Sequence, residues 1–161
     1  IRRLIHDMLE TMLDADGLGI AAPQVYDPHR VVMFFVPDGS DMESEGDGDE
    51  MPERELVILI NPIVEPLTDE TERGWEGCLS VPGLRGMVAR TAAVRYRGIA
   101  PDGSAIDCEA HGMHARVVQH ECDHLDGILY PQRMEDMSTL TFESEWRHFG
   151  PVAGEAEDGS E

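Results

Sequence analysis

The pentad His120-Glu121-Cys122-Asp123-His124 constrains this chain more than any other feature, because its chemistry works only on a helix. At 3.6 residues per turn, His124 lies about 40° around the helix from His120 and Glu121 about 60° from His124, so two imidazoles and a carboxylate share one face. This is the H-E-x-x-H pattern, in which neutral imidazoles bind a metal ion and the glutamate, held off it, moves protons for a water. The same letters can arise by chance on an amphipathic helix with solvated histidines, so the surroundings matter. Residues 112–119 supply helix formers and apolar side chains, and Leu125-Asp126-Gly127 offers a glycine where a left-handed C-terminal residue belongs. A catalytic site of the zinc type takes three protein ligands, so two histidines need a third donor, for which several side chains could serve.

Three separated segments then carry a family resemblance. Gly17-Leu18-Gly19-Ile20-Ala21-Ala22-Pro23-Gln24, Glu76-Gly77-Cys78-Leu79-Ser80 and Gln119-His120-Glu121-Cys122-Asp123-His124 resemble, in order, the three signature motifs of peptide deformylases. The resemblance runs from the first helix to about Arg133 and takes in Asn61-Pro62 and residues 81–86. It implies a metal-dependent amidase that removes formyl from the initiator methionine of new polypeptides and releases formate. It also implies Cys78 as the third ligand beside His120 and His124, and one divalent ion, ferrous iron in the family, with zinc, nickel or cobalt suiting the same donors. Spacing alone does not select Cys78, whose ordinary reading is a small buried residue. By the same resemblance, the Gln24 amide and the Leu79 backbone N–H donate to the oxyanion, while Glu121 serves as base and then acid for a metal-activated water.

A methionine side chain requires a narrow apolar pocket beside the metal. Leu18, Met113 and Val117 are the candidates, since Val117 precedes His120 by three residues on the same helix side and Met113 lies a further turn away. Gly17 and Gly19 can end a helix and permit positive φ, and would also let the backbone approach an extended substrate, for which Gly19 and Gly77 are candidate binding residues. Glu76 reads as a structural acid paired with Arg85 or Arg90, and Asp123 either orients a ligand or faces solvent. Cys122, about 200° around the helix from His120, faces away from the ion and reads as packing. His6, His29, His111, His114 and His148 have no ligand spacing of their own and default to surface or capping roles, and Cys108 has no motif.

The periodicities predict an α+β fold: antiparallel β-sheets packed around a central metal-binding helix, with an N-terminal amphipathic helix. That helix presents Ile1, Leu4, Ile5, Met8, Leu9, Met12 and Leu13 on one face. Strands are expected at 31–36, 56–60 and 63–67, and a hairpin is expected from 87–99 and 105–110 around Pro101-Asp102-Gly103-Ser104. A short strand at 128–130 and a brief packed piece around Met137, Leu140 and Phe142 complete one catalytic domain over residues 1–150, with 151–161 a polar acidic tail. Residues 38–55 are too poor in apolar side chains to pack and read as an acidic loop insertion. The family usually carries an extended segment before the helix that opens this sequence at Ile1, a difference expected to bear on stability more than on the site.

Three cysteines, an odd number without disulfide spacing, point to a reducing compartment, with cytoplasm as the default and an organelle matrix as the alternative. No run approaches the roughly 20 apolar residues of a membrane-spanning helix. The 12 basic and 33 acidic side chains give a net charge of −21. Such a field opposes nucleic acid and anionic membranes, favours solubility and strains the fold by self-repulsion, a balance found in proteins adapted to high salt. Nine of the acids lie in segment 38–55, so part of the imbalance is local. The expected partners are N-formylmethionyl peptides of nascent chains near the ribosome, met by a monomer. A metallopeptidase would share H-E-x-x-H yet leave the glycine-glutamine and cysteine motifs unexplained. A domain that merely binds peptide or metal is opposed by intact Gln24, Cys78 and Glu121.

Because the Debye length shrinks from about 10 Å at 0.1 M to about 3 Å at 1 M, the melting temperature should rise with sodium chloride. A variant lacking residues 38–55 should show a shallower rise and still release formate; a flat response in the full chain would remove self-repulsion as a limit on stability.

Overall fold

The apolar face at the start of the chain winds into helix α1 (Arg2–Asp14), with Met8 and Met12 buried and Leu4, Ile5 and Leu9 packed at its margin. Ile1 and Leu13, counted on the same face, stay about half exposed because the helix ends overhang the sheet below. The computed structural model describes residues 1–37 and 55–145. The acidic insertion, apart from Glu55, and the 151–161 tail therefore lie outside the described residues.

The first sheet has five strands in the order β1 (Gly19–Ala21), β2 (Val31–Phe35), β3 (Leu56–Pro66), β6 (Ala93–Ile99) and β7 (Ala105–His111), all antiparallel. Its central strands are covered on both faces. Val31 and Met33 of β2 point into the cluster beneath α1, whereas Val32 and Phe34 join Val57 and Leu59 of β3 in a second cluster under helix α2 (Gly112–Leu125). This two-sided burial explains the nearly unbroken apolar runs of β2 and early β3. The second sheet is smaller, with β4 (Thr71–Cys78), β5 (Val81–Thr91) and β8 (Thr141–Phe142) in that order. Helix α2 lies between the sheets, apolar toward the first and polar toward the second.

The α+β class and the central helix are as expected, with four local differences. The runs 56–60 and 63–67 are one strand, because Asn61 adopts a positive φ of 53° and the register shifts between Ile60 and Ile63, absorbing Pro62 as a bulge. The run 87–99 is two strands in different sheets. The chain crosses over at Ala92, just where the Gln119 amide bonds both the N–H and the C=O of Thr91 in place of a strand. The 105–110 partner therefore pairs only with the second part, β6. Residues 128–130 form no strand: the Gln132 side chain takes the Leu129 N–H at 2.7 Å and Tyr130–Arg133 turns as a 3₁₀ helix, with Pro131 unable to donate to a ladder. Strands β1 and β4 carry the first two motifs and were not evident as strands, being glycine-bearing and short of apolar alternation. Helix α2 ends as expected, with Gly127 at φ 72° bonding the His124 carbonyl.

No helix among the described residues is long and apolar enough to cross a membrane. Met12 is fully buried between α1 and β2. Met12→Ala should cost about 2–5 kcal/mol in denaturant unfolding, the range for a large core side chain cut to alanine; a loss below that range would show that α1 adds little to the fold.

Candidate metal centre

Each donor reaches the centre from a different local device. Cys78 ends β4 and is paired with Val81, so Leu79 and Ser80 form a tight two-residue turn whose Ser80 N–H points back at Cys78 Sγ, 3.4 Å away. His120 and His124 stand one turn apart on α2, with ring centroids 5.1 Å apart. Cys78 Sγ lies 3.3 Å from His124 Nε2, and donor atoms of Cys78, His120 and His124 all lie within 4.8 Å of one another. The other His/Asp/Glu group of this kind among the described residues, His6, Asp7 and Glu10, is fully on the surface of α1, where ion pairs at helical spacing are ordinary.

The orientation of His120 is set from behind. Its Nδ1 is 2.8 Å from Glu76 Oε2, which leaves Nε2 for the centre. Glu76 is itself held by Arg90, with Nε and Nη2 each 2.9 Å from one carboxylate oxygen, and by Arg116 Nη1 at 2.8 Å. Arg90 extends the chain to Asp123 at 2.6 Å, which accepts a second fork from Arg133. Of the sequence alternatives, then, Glu76 pairs with Arg90, Arg85 turns instead to Glu143, and Asp123 binds arginines rather than facing solvent. Arg116 was not singled out in the sequence, although an arginine four residues before a metal-site histidine on an otherwise apolar helix turn was the available signal.

Burial raises the Glu76 carboxyl, but Arg90 and His120 outweigh it and hold the pKa at about 2. Burial likewise pushes the Cys78 thiol up, yet hydrogen bonds from His120, His124 and the Ser80 N–H bring it down to about 5. Burial lowers His120, and Cys78 and Glu76 reverse that to about 10. Two anions thus demand positive charge between them. Glu121 is the exception: burial lifts its carboxyl to about 7 against the pull of both histidines, and its Oε2 has no hydrogen-bond partner. A thiolate, two imidazoles and an unpartnered buried carboxylate oxygen beside them fit a divalent ion of the zinc or ferrous type with a proton-accepting neighbour.

The first motif closes the other wall. The Ala21 N–H donates to Gln24 Oε1 at 2.8 Å, which fixes the amide so that Nε2 faces Ser80 Oγ at 3.1 Å and Cys78 Sγ at 4.0 Å. Gly19 is required by close approach, since a Cβ there would fall against the Glu121 carboxyl group, 2.7 Å from its Cδ. Leu79 packs its side chain toward Gly17 and, like Leu18, is about two-fifths exposed. Val117 is buried in the larger core cluster with Met113 at its edge, and Gly77 sits in β4 against Arg85 and Leu84. Cys122 packs against the same cluster, facing away as expected, and burial pushes its thiol up to about 12. His114 departs from its surface assignment, for its ring packs between Phe34 and Tyr96.

Residues 1–139 match the family model for polypeptide deformylase. A peptide deformylase 1 of Bordetella pertussis is 51% identical over 142 residues, covering 88% of this chain and 77% of that protein. A peptide deformylase 2 of Pseudomonas syringae pv. tomato is 50% identical over 145 residues, with 88% and 76% coverage. Among solved structures, a class I type b peptide deformylase from Acinetobacter baumannii with Met-Ala-Ser bound superposes with a TM-score of 0.68 and 39% identity, over 82% of this chain and 80% of that one.

After metal is stripped by a chelator, Cys78 should alkylate with iodoacetamide down to about pH 5, because its thiolate persists above the lowered pKa and disappears below it. Cys122 should stay unreacted at neutral pH, and restored divalent metal should protect Cys78. Peptide mass mapping across pH reads this out; a Cys78 profile centred near the ordinary thiol value would contradict the electrostatics described.

Proposed function

Because the chain belongs to the polypeptide deformylase family, metal-dependent enzymes that remove formyl from N-terminal formylmethionine of nascent polypeptides, we propose how its own residues divide that work. Cys78, His120 and His124 hold the ion, which is ferrous iron in the cell and zinc, nickel or cobalt in some isolated forms. When bound, the ion supplies a Lewis acid that acidifies a water and polarises the formyl carbonyl. Glu121 takes the proton of the attacking water and delivers a proton to the departing amine as the C–N bond breaks, leaving formate and a free methionine N-terminus. The orphaned Oε2 of Glu121, buried and poised near neutrality, is the observation that carries this assignment.

Gln24 Nε2 and the Leu79 N–H donate to the oxyanion. The support for Gln24 is its locked amide, whose oxygen is committed to Ala21 and whose nitrogen is aimed at the Cys78 turn. Leu18, Met113 and Val117 line the methionine pocket, and Gly19 and Gly77 admit the substrate backbone. A peptide opening with methionine, as in the Met-Ala-Ser complex of the Acinetobacter protein, is the product side of that reading. The chain works as a single catalytic domain and a monomer, close to the ribosome in the cytoplasm or an organelle matrix, without tight binding to nucleic acid or membrane.

Glu121→Gln keeps the shape of the side chain but removes the base. Metal content should stay near wild type while formate release from formyl-Met peptide drops by roughly 10²–10⁴. Loss of metal with it would make Glu121 a ligand, and near-normal turnover would assign the base elsewhere. An acetyl-Met peptide should remain uncleaved.

A further inference from the structure

The face of α2 that meets the second sheet is polar at helical spacing: Arg116, His120 and Asp123 form a stripe where an apolar one would be usual. All three engage the same buried charges, since Arg116 and His120 bond opposite oxygens of Glu76 and Asp123 bonds the arginine that grips Glu76. Arg116 does more than neutralise. Its Nη1 also reaches the Val88 carbonyl at 2.9 Å and the Gly74 carbonyl at 3.4 Å, and its Nη2 reaches the Glu72 carbonyl at 2.7 Å. The side chain is 8% exposed, and Glu76 already has a two-oxygen partner in Arg90 on the neighbouring strand. Pairing of the carboxylate alone therefore does not explain a second buried arginine, which is costly to desolvate unless its donors are used.

We propose that Arg116 is a positioning residue for the metal centre: it fixes the Glu76 carboxylate against His120 and sets the spacing between β4, which ends in Cys78, and α2, which carries both histidines. Gln119 and Asp123 tie α2 to β5, whereas toward β4 the helix is held by the His120–Glu76 hydrogen bond and, one turn earlier, by Arg116, which bonds both Glu76 and carbonyls of β4. The Arg116 anchor limits rolling of the helix against the strand that carries Cys78. The strand is shaped for it. Gly74 lies directly under the guanidinium, and a Cβ there would come within 2.7 Å of Arg116 Cζ. Lysine cannot replace the fork, because one ammonium cannot meet a carboxylate and carbonyls on two strands in a fixed plane.

The inference rests on Cys78, His120 and His124 being the ligands, and its test reads metal binding apart from turnover. Arg116→Met, Arg116→Lys, Gly74→Ala and Arg116→Met with Gly74→Ala would be loaded with cobalt(II). Affinity is measured by chelator competition, site geometry by the cobalt–thiolate absorption band, and kcat and KM on formyl-Met peptide, with thermal melting as the folding control. Removing a partner behind a ligand costs 10–100-fold in affinity or activity, so Arg116→Met should lose about 10-fold in cobalt affinity, shift the band and lower kcat with KM little changed. Arg116→Lys should fall between it and the wild type. Gly74→Ala should mimic Arg116→Met, yet add little to it, because the shorter side chain leaves room for the methyl group. A folded Arg116→Met with wild-type affinity and spectrum overturns the proposal, as does a Gly74→Ala effect that is undiminished in the double variant. If Arg116→Met does not fold, the lysine and alanine variants decide it by the same two criteria. Wild-type protein that binds cobalt through Cys78 but releases no formate would remove the functional reading while the affinity pattern still judges Arg116.

Discussion

The Glu76 carboxylate, 5% exposed, is the point from which the rest of this structure is braced. It sits on β4, two residues before Cys78, and accepts from an arginine on β5, an arginine on α2 and a histidine on α2. The second sheet and the central helix thereby share one anion. Breaking a buried pair of this kind strands a charge and costs about 3–5 kcal/mol, whereas a neutral apolar replacement of the whole set can be tolerated for stability. What an apolar replacement would forfeit is direction: hydrocarbon packing cannot hold an imidazole by its Nδ1 so that Nε2 meets a thiolate.

The same bracing separates the two carboxylates of the site by environment. Glu76 is surrounded by cations and stays ionised, while Glu121, one helix position beyond His120, is buried without a hydrogen-bond donor to Oε2 and is lifted toward neutrality. In the proposed mechanism two acids within one cluster thus take opposite work, one orienting a ligand and one exchanging protons. Gly19 belongs to this division, since only a residue without a Cβ lets the first motif close over the Glu121 carboxyl group.

Elements whose periodicity reports one partner were legible in the sequence: α1, α2 with its glycine stop, β2 and the β6–β7 hairpin. The crossing at Ala92 was not, because positions 86, 88 and 90 of β5 and 94 and 96 of β6 are all buried, so the even-numbered burial resumes in phase beyond the break and only half-buried Ala92 and buried Ala93 interrupt it. What marks it is Gln119, distant in sequence, which bonds Thr91 on both sides. The site divides in the same way. His120, Glu121 and His124 follow from helix geometry, and the resemblance supplied Cys78 and Gln24. Arg116 left only the signal of an arginine one turn before His120, and its bonds to β4 and the Arg90–Asp123–Arg133 relay became visible only with the fold, since no local spacing links β4, β5 and α2.

Every one of the 12 basic side chains is arginine, in a chain with 33 acids. On the surface some of them fork onto single carboxylates, as Arg95 does with Asp107 and Arg85 with Glu143. Such exposed pairs are weak and screened by salt. In the interior the same side chain behaves differently, because a guanidinium of 5–8% exposure at Arg90 and Arg116 lies in a medium that salt does not enter. Ionic strength therefore acts on the acidic exterior and leaves the cluster that aims His120 nearly untouched, so a surface of extreme charge and a site of fixed electrostatics can coexist in one small fold.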